Sequence, residues 1–362
     1  MVKITKIENR EDIKNAPKKY KEYTRRKLIF CIFFIILICI ISLYSISTGS
    51  MNLSIGEVIN GLAHSGDINE VVIWNIRLPR IIGAIIAGIS LAVAGVVMQC
   101  ILRNPLASPF TMGISHGAVF GAAFAIIVLG AGELHRTGTP LTLNNPYSVT
   151  IFAFIGALIG VFIILLLAKL RGLTPEAMIL AGVAMSSLFG AGTMLLQYFA
   201  EDVKVASIVF WTFGDIGRAG WTDIKIMLFI TIPALIYFIY KRWDYNALES
   251  GGETAKSLGV NTERTRLVGM IIAALITSVC VAFLGIIGFV GLVVPHIMRM
   301  IIGGDYRYLI PISAIFGGLL LLVADTVART IILPVTLPVG VLTSFIGAPM
   351  FIYILVKRYK RK

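Results

Sequence analysis

The chain has 362 residues, 57% of them hydrophobic and 14% charged, where a soluble domain carries about 25% charged residues. It lacks the polar side chains to clothe a soluble core of this size, and its apolar runs are helix-length and do not alternate, which excludes a membrane β-barrel. The net charge of +13 does not signal nucleic acid: ten of the 32 basic residues lie in the first 27 positions and five more in Lys357–Lys362, flanking apolar segments instead of striping a soluble face.

Taken in chain order, residues 1–27 read as a basic tail. Ten apolar segments then predict spans at 28–47, 81–101, 109–130, 148–169, 176–199, 223–241, 265–284, 286–302, 308–324 and 338–356, and 358–362 close the chain as a second basic tail. The run Leu267–Met298 is the hardest to divide. As one helix it would be about 48 Å long, against a hydrocarbon core of about 30 Å. Gly285, Gly288 and Gly291 offer a break, so the run is read as two spans around a tight outer turn, with Pro295 a tolerable kink in the second. Ten spans put both termini on one side. With that side cytoplasmic, 25 basic residues fall inside and 7 outside, the bias expected of a membrane protein.

The spans are rich in small residues, notably Gly83, Ala84, Ala87, Gly88, Ser90, Ala92, Ala94 and Gly95, then Gly117, Ala118, Gly121 and Ala122. Such residues let helices approach closely where lipid removes the hydrophobic drive between them. Cys31, Cys39, Cys100 and Cys280 all lie in apolar segments without metal-ligand spacing, so no metal and no cofactor is expected. The first apolar segment lacks a clear cleavage site for a signal peptide. There is no Walker A loop, HExxH, GxSxG or dinucleotide fingerprint, so an enzyme has no supporting constellation. Mid-span acids are scarce, which weakens an ion-coupled carrier. Asp325 and Arg329, one helical turn apart, read as a mutual interfacial pair.

Five strings carry more information. They are Arg77-Leu-Pro-Arg80; Arg103-Asn-Pro-Leu-Ala-Ser-Pro109 followed by Met112-Gly-Ile-Ser115; Leu248-Glu-Ser-Gly-Gly-Glu-Thr-Ala-Lys-Ser-Leu-Gly-Val260; Gly285-Ile-Ile-Gly-Phe-Val-Gly-Leu-Val-Val-Pro-His-Ile-Met-Arg299; and Pro338-Val-Gly-Val-Leu-Thr-Ser-Phe-Ile-Gly-Ala-Pro-Met-Phe351. In this order and spacing the chain, from about residue 28 onward, resembles the FecCD family of permease subunits of ATP-binding-cassette importers for ferric siderophores, haem and vitamin B12. The resemblance implies an all-α bundle of ten transmembrane helices (a type II ABC importer permease fold) paired as a homodimer in the cytoplasmic membrane. It further implies two separate cytoplasmic ATPase subunits and an extracellular substrate-binding protein, with no catalysis in this chain. A ferric siderophore is the substrate expected first, with vitamin B12 or haem as the alternative and an autonomous ion-coupled carrier as a remoter one.

By the same resemblance the cytoplasmic loop 242–264 couples to the ATPase. Gly251 and Gly252 break the preceding helix and Gly259 ends a short one. Gly252, Glu253, Ala255, Leu258 and Gly259 are its coupling residues, Ala255 and Leu258 docking and Glu253 making a polar contact; without the resemblance an ordinary amphipathic loop would suffice. Arg77 and Arg329, and with them Arg80, are implied to receive glutamates of the binding protein, whereas arginines at span ends otherwise snorkel to lipid phosphates. Asn104 reads as a turn residue and His296 as a hydrogen-bonded helix residue. Met98, Met112, Met185 and Met194 could line a path for a bulky chelate, although packing is the preferred reading for each.

Overall fold

The structure, a computed structural model, describes residues 10–49, 53–63, 68–131, 146–170 and 172–359. Fifteen α-helices follow one another: α1 (Arg10–Ser47), α2 (Ile55–Leu62), α3 (Ile68–Val72), α4 (Leu78–Ile101), α5 (Ile114–Ile127), α6 (Pro146–Lys169), α7 (Pro175–Tyr198), α8 (Asp202–Thr212), α9 (Trp221–Tyr240), α10 (Arg242–Ser250), α11 (Gly252–Ser257), α12 (Thr262–Leu284), α13 (Val290–Ile302), α14 (Tyr306–Thr330) and α15 (Val339–Tyr359). Among the described residues, seven helical stretches are long and apolar enough to cross a membrane, including Asn69–Ile101, which joins α3 to α4, and three shorter apolar helices (α5, α13 and the first part of α15) bring the number to the ten expected. Each predicted span meets one of these helices.

Helix α4 is the axis of the bundle. Its apolar window is 83% buried, against 17% for that of α1, whose Leu28, Ile32, Phe33, Ile36, Ile40 and Leu43 face outward, as lipid-facing side chains do. The small residues read from the sequence explain how α4 is enclosed. A Cβ on Gly88 would lie 2.2 Å from the carbonyl oxygen of Gly317 in α14, and one on Gly95 would lie 1.8 Å from that of Gly291 in α13. The backbones touch there, a contact only glycine allows. In the same way α5 meets α6 at Gly117 and Gly156. Buried polar groups find partners between helices: Ser90 Oγ donates to Ile86 O at 2.8 Å and lies 2.8 Å from Thr231 Oγ1 of α9.

Two irregularities have sequence causes. Pro79 cannot donate to the carbonyl four residues back and its ring crowds that group. The helix opens just upstream into a wide π turn over Ile73–Arg77, in which Leu78 N–H reaches Ile73 O. The long run between α12 and α13 breaks where expected, with Gly285 at φ +77° and Phe289 at φ +65°. The break is longer than a tight turn: residues 285–289 are all non-helical, from Gly285 to the left-handed Phe289. Phe213 forms a parallel bridge with Ile286, Asp215 N–H donates to Leu284 O at 2.9 Å, and Gly340 N–H donates to Gly214 O at 3.0 Å. Non-helical backbone at membrane depth is tolerated where protein or a cavity satisfies it, and these bonds do so.

Gly95→Val should abolish a monodisperse, heat-stable protein in detergent, because the new side chain must enter the Gly291 backbone. Gly56→Ala, on the exposed face of α2 with nothing within 4 Å of the added carbon, should leave thermal unfolding unchanged or slightly raised.

Candidate functional sites at the two ends of the bundle

At one end α1, α4, α14 and the segment 213–218 bring three arginines and two aspartates together. Asp325 is fully buried. It accepts Arg80 Nε at 2.9 and 3.1 Å and Arg329 Nε at 3.2 Å, while Arg80 Nη2 reaches Asp215 Oδ1 at 3.1 Å. The Asp325–Arg329 pair read from the sequence is present, but Asp325 serves Arg80 more closely, across 245 residues of chain. A carboxylate with no water around it needs such paired donors, since an uncompensated charge there costs several kcal/mol.

Arg77 and Arg329 hold the end of α1. Arg329 donates to Ser45 Oγ and, at 3.3 Å each, to Ser45 O and Thr48 O; Arg77 donates to Ile46 O. The last carbonyls of a helix lack partners and carry partial negative charge, so two guanidinium groups there cap and neutralise it. The sequence reading had these arginines facing outward. In the structure Arg77 is 4% and Arg329 9% exposed, because the α1 terminus lies over them. Arg80, at 11% side-chain exposure, is likewise enclosed.

Beside this cluster lies a cleft of about 600 Å³ lined by Thr212, Phe213, Gly214, Ile286, Ser344 and Phe345 among others, with Ile286 and Gly288 of the non-helical break in one wall. The methionines considered as path-lining are elsewhere: Met98, Met112 and Met185 are buried in the core, and Met194 is exposed on α7. The glycine and proline pattern of the fifth string carries the signal for this cleft, but no single residue in it announces one.

The other end carries the loop 242–264. Helix α10 buries Tyr245 and Leu248, and burial drives the Tyr245 phenol well above its ordinary pKa, so it is neutral. Gly251, at φ +127°, ends α10. One short helix follows, closed by Gly259 N–H on Lys256 O and Val260 N–H on Ala255 O, both at 2.9 Å, with Gly259 at φ +82°. The glycine breaks and the helix between them stand where the sequence put them. Leu258 is 68% exposed at its tip and Glu253 pairs with Lys256 at 3.2 Å on the exposed face. Ala255 differs from the reading: it is fully buried against its own chain. It seats α11 and presents no surface to a partner. Behind it, Gly252 faces Arg266, whose Nη1 donates to Leu173 O at 3.3 Å in the α6–α7 turn.

The profile of the FecCD transport family matches residues 35–357. The chain belongs to that family. Over 349 residues it is 70% identical to a Methanocaldococcus jannaschii protein provisionally named an ABC transporter permease, covering 96% of this chain and 99% of that one. It is 35% identical over 333 residues to the hemin transport system permease protein of Yersinia pestis, covering 91% and 96%. Among solved structures, one described as an inward-facing conformation of a transporter provisionally assigned to the metal-chelate ABC type matches with a TM-score of 0.79 at 29% identity, covering 90% and 98%. The chain is thus an ABC importer permease of the FecCD type, a multi-pass membrane component of a transporter.

Asp325→Ala should cost about 3–5 kcal/mol by leaving two guanidinium groups buried without their carboxylate. Asp215→Ala, at 34% side-chain exposure, should cost about 1 kcal/mol or less. Thermal unfolding in detergent should rank the two variants in that order.

Proposed function

We propose that this chain is the membrane subunit of a binding-protein-dependent importer that carries a ferric siderophore inward, driven by a separate ATPase subunit. Family membership supports the importer class. The observation that carries the energy-coupling part is α11: a six-residue helix isolated by glycines, seated by Ala255 and Arg266, and presenting Leu258 largely exposed at its end. An apolar tip of that kind is what a cleft in a cytoplasmic ATPase can grip. Two copies of the chain face each other across the path, with both termini on the ATPase side. The 600 Å³ cleft beside the non-helical 285–289 segment then supplies one wall of the path. A chelate of iron suits a path with few charges, because affinity resides in the binding protein and the permease need only be wide and weakly interacting. The permease itself makes and breaks no bond.

At the opposite end Arg77, Arg80 and Arg329 form the docking surface for the carboxylates of the binding protein. Their burial gives docking a structural consequence. An incoming carboxylate competes with the α1 carbonyls and with Asp325 for the same guanidinium groups, so arrival of the binding protein loosens the end of α1.

Leu258→Asp should release or uncouple the ATPase while leaving membrane insertion intact, checked by co-purification of the ATPase and by transport in vesicles; unchanged transport would remove the coupling assignment. Arg77→Glu together with Arg329→Glu should weaken docking of the binding protein, and the loss should shrink as salt rises past about 0.15 M, where the Debye length is about 8 Å. Docking that ignores both changes would leave these residues as caps of α1 alone. A ligand screen on the cognate binding protein with ferric siderophores, haem and cobalamin should select the siderophore.

A further inference from the structure

The end of the bundle that carries α11 holds a second polar cluster, which the coupling helix itself does not use. Lys27 of α1 is 3% exposed, and its ammonium makes no hydrogen bond. It lies instead 3.9 Å from the ring centroid of Tyr23 and 4.1 Å from that of Tyr308. Burying an ammonium without an acceptor is costly, and the two ring faces offset part of that cost. A lysine turned outward at this level of α1 would pay nothing, so the arrangement implies a role that solvation would forfeit.

The neighbours of Lys27 form a continuous chain to α10. Tyr23 Oη donates to Ile302 O at 3.4 Å, next to Gly303, whose φ of +86° ends α13. Thr24 Oγ1 lies 3.4 Å from Tyr308 Oη, and Arg307 Nη1 donates to Tyr20 Oη at 3.3 Å. Arg307 forks onto Asp305 at 2.6 and 2.9 Å and lies 4.6 Å from the centroid of the Trp243 ring. Although desolvation opposes it, the bonds from Arg307 and Asn246 hold Asp305 below its ordinary carboxylate pKa, so it stays charged near neutrality. Asn246 Nδ2 donates to Asp305 at 3.0 Å, and Asn246 Oδ1 accepts Tyr306 N–H at 2.9 Å. Tyr306 Oη donates to Glu249 at 2.9 Å and accepts from Arg299 at 3.1 Å.

Trp243, Asn246 and Glu249 are three residues apart and share one face of α10. The opposite face, with Tyr245 and Leu248, is buried in the core. Helix α10 is therefore clamped between the bundle and the 303–308 turn, and only Gly251 separates it from α11. We propose that the N-terminal extension of α1 is a brace that fixes the position of the coupling helix, with Lys27 and Tyr308 as its positioning residues. This inference rests on the coupling role proposed for α11. It adds that a push on α11 is passed through α10 to α1 and α14 as a unit, not absorbed by a loose loop.

The test uses the full-length permease in a lipid nanodisc, carrying Lys27→Met or Tyr308→Leu, with Lys27→Arg and Tyr308→Phe as the conservative variants. Amide hydrogen exchange over residues 242–257 should quicken by about tenfold or more in the first pair while α12 keeps the exchange of the parent, and the conservative pair should restore protection. In the importer assembled with its ATPase, the first pair should still hydrolyse ATP but transport several-fold less substrate per ATP. Unchanged exchange over 242–257 would overturn the brace. So would faster exchange spread equally through α12, or, where Leu258→Asp abolishes transport, faster local exchange with undiminished transport per ATP. The exchange result stands independently of the ATPase: if Leu258→Asp left transport intact, the coupling reading would fall while the exchange still decided whether the brace exists.

Discussion

Within a bilayer the hydrophobic effect cannot press one apolar helix against another, so close packing must come from backbones that fit. Here that fit is concentrated on α4. Its Gly88 and Gly95 lie against the carbonyls of Gly317 and Gly291, and α13 and α14 are thereby held directly on the central helix. The arginine–aspartate cluster and the cleft both depend on these two contacts. Helix α14 carries Asp325 and Arg329 at one end and begins at the 303–308 turn at the other; α13 opens on the non-helical break whose Ile286 and Gly288 wall the 600 Å³ cleft.

The polar chemistry is pushed to the two ends, and at each end it is used to hold helices in register. Three arginines and two aspartates tie α1, α4, α14 and the 213–218 segment together at one end. At the other, Lys27, Asp305, Arg307, Asn246, Tyr306 and Glu249 tie α1, α10 and α14. Helix α1 takes part in both clusters, although most of its length faces outward. Its apolar middle packs on α14 along one stripe, with the Phe34 ring 5.1 Å from that of Phe316, and its two polar ends fix its register there. Arginines suit the first of these clusters because a planar guanidinium can serve a carboxylate and a helix terminus at once, as Arg329 does with Asp325 and Ser45.

Much of this was legible beforehand because lipid imposes simple rules. Length and charge bias gave ten spans, and glycine spacing gave the break at Gly285 and the isolated helix between Gly251 and Gly259. The short helices α2 and α8 were not predicted, since neither is long enough to span; for α2 the local signal was there in the Ser54–Glu57 capping box and went unread. The pairing of Arg80 with Asp325 was hidden for the same reason, since the i, i+4 rule reveals Arg329 as a partner but says nothing about a residue on another helix. Burial of Arg77 and of Ala255 was missed because a span-end arginine and an alanine in a polar loop both look exposed until the fold lays another segment over them.

The central claim is that this bundle is a passive gate whose energy comes from another chain. It is tested most directly by uptake into vesicles that hold the permease with its ATPase and binding protein. Uptake should cease when ATP hydrolysis is blocked and should be indifferent to collapse of the ion gradients. Uptake that continues on an ion gradient alone, with hydrolysis blocked, would contradict the account.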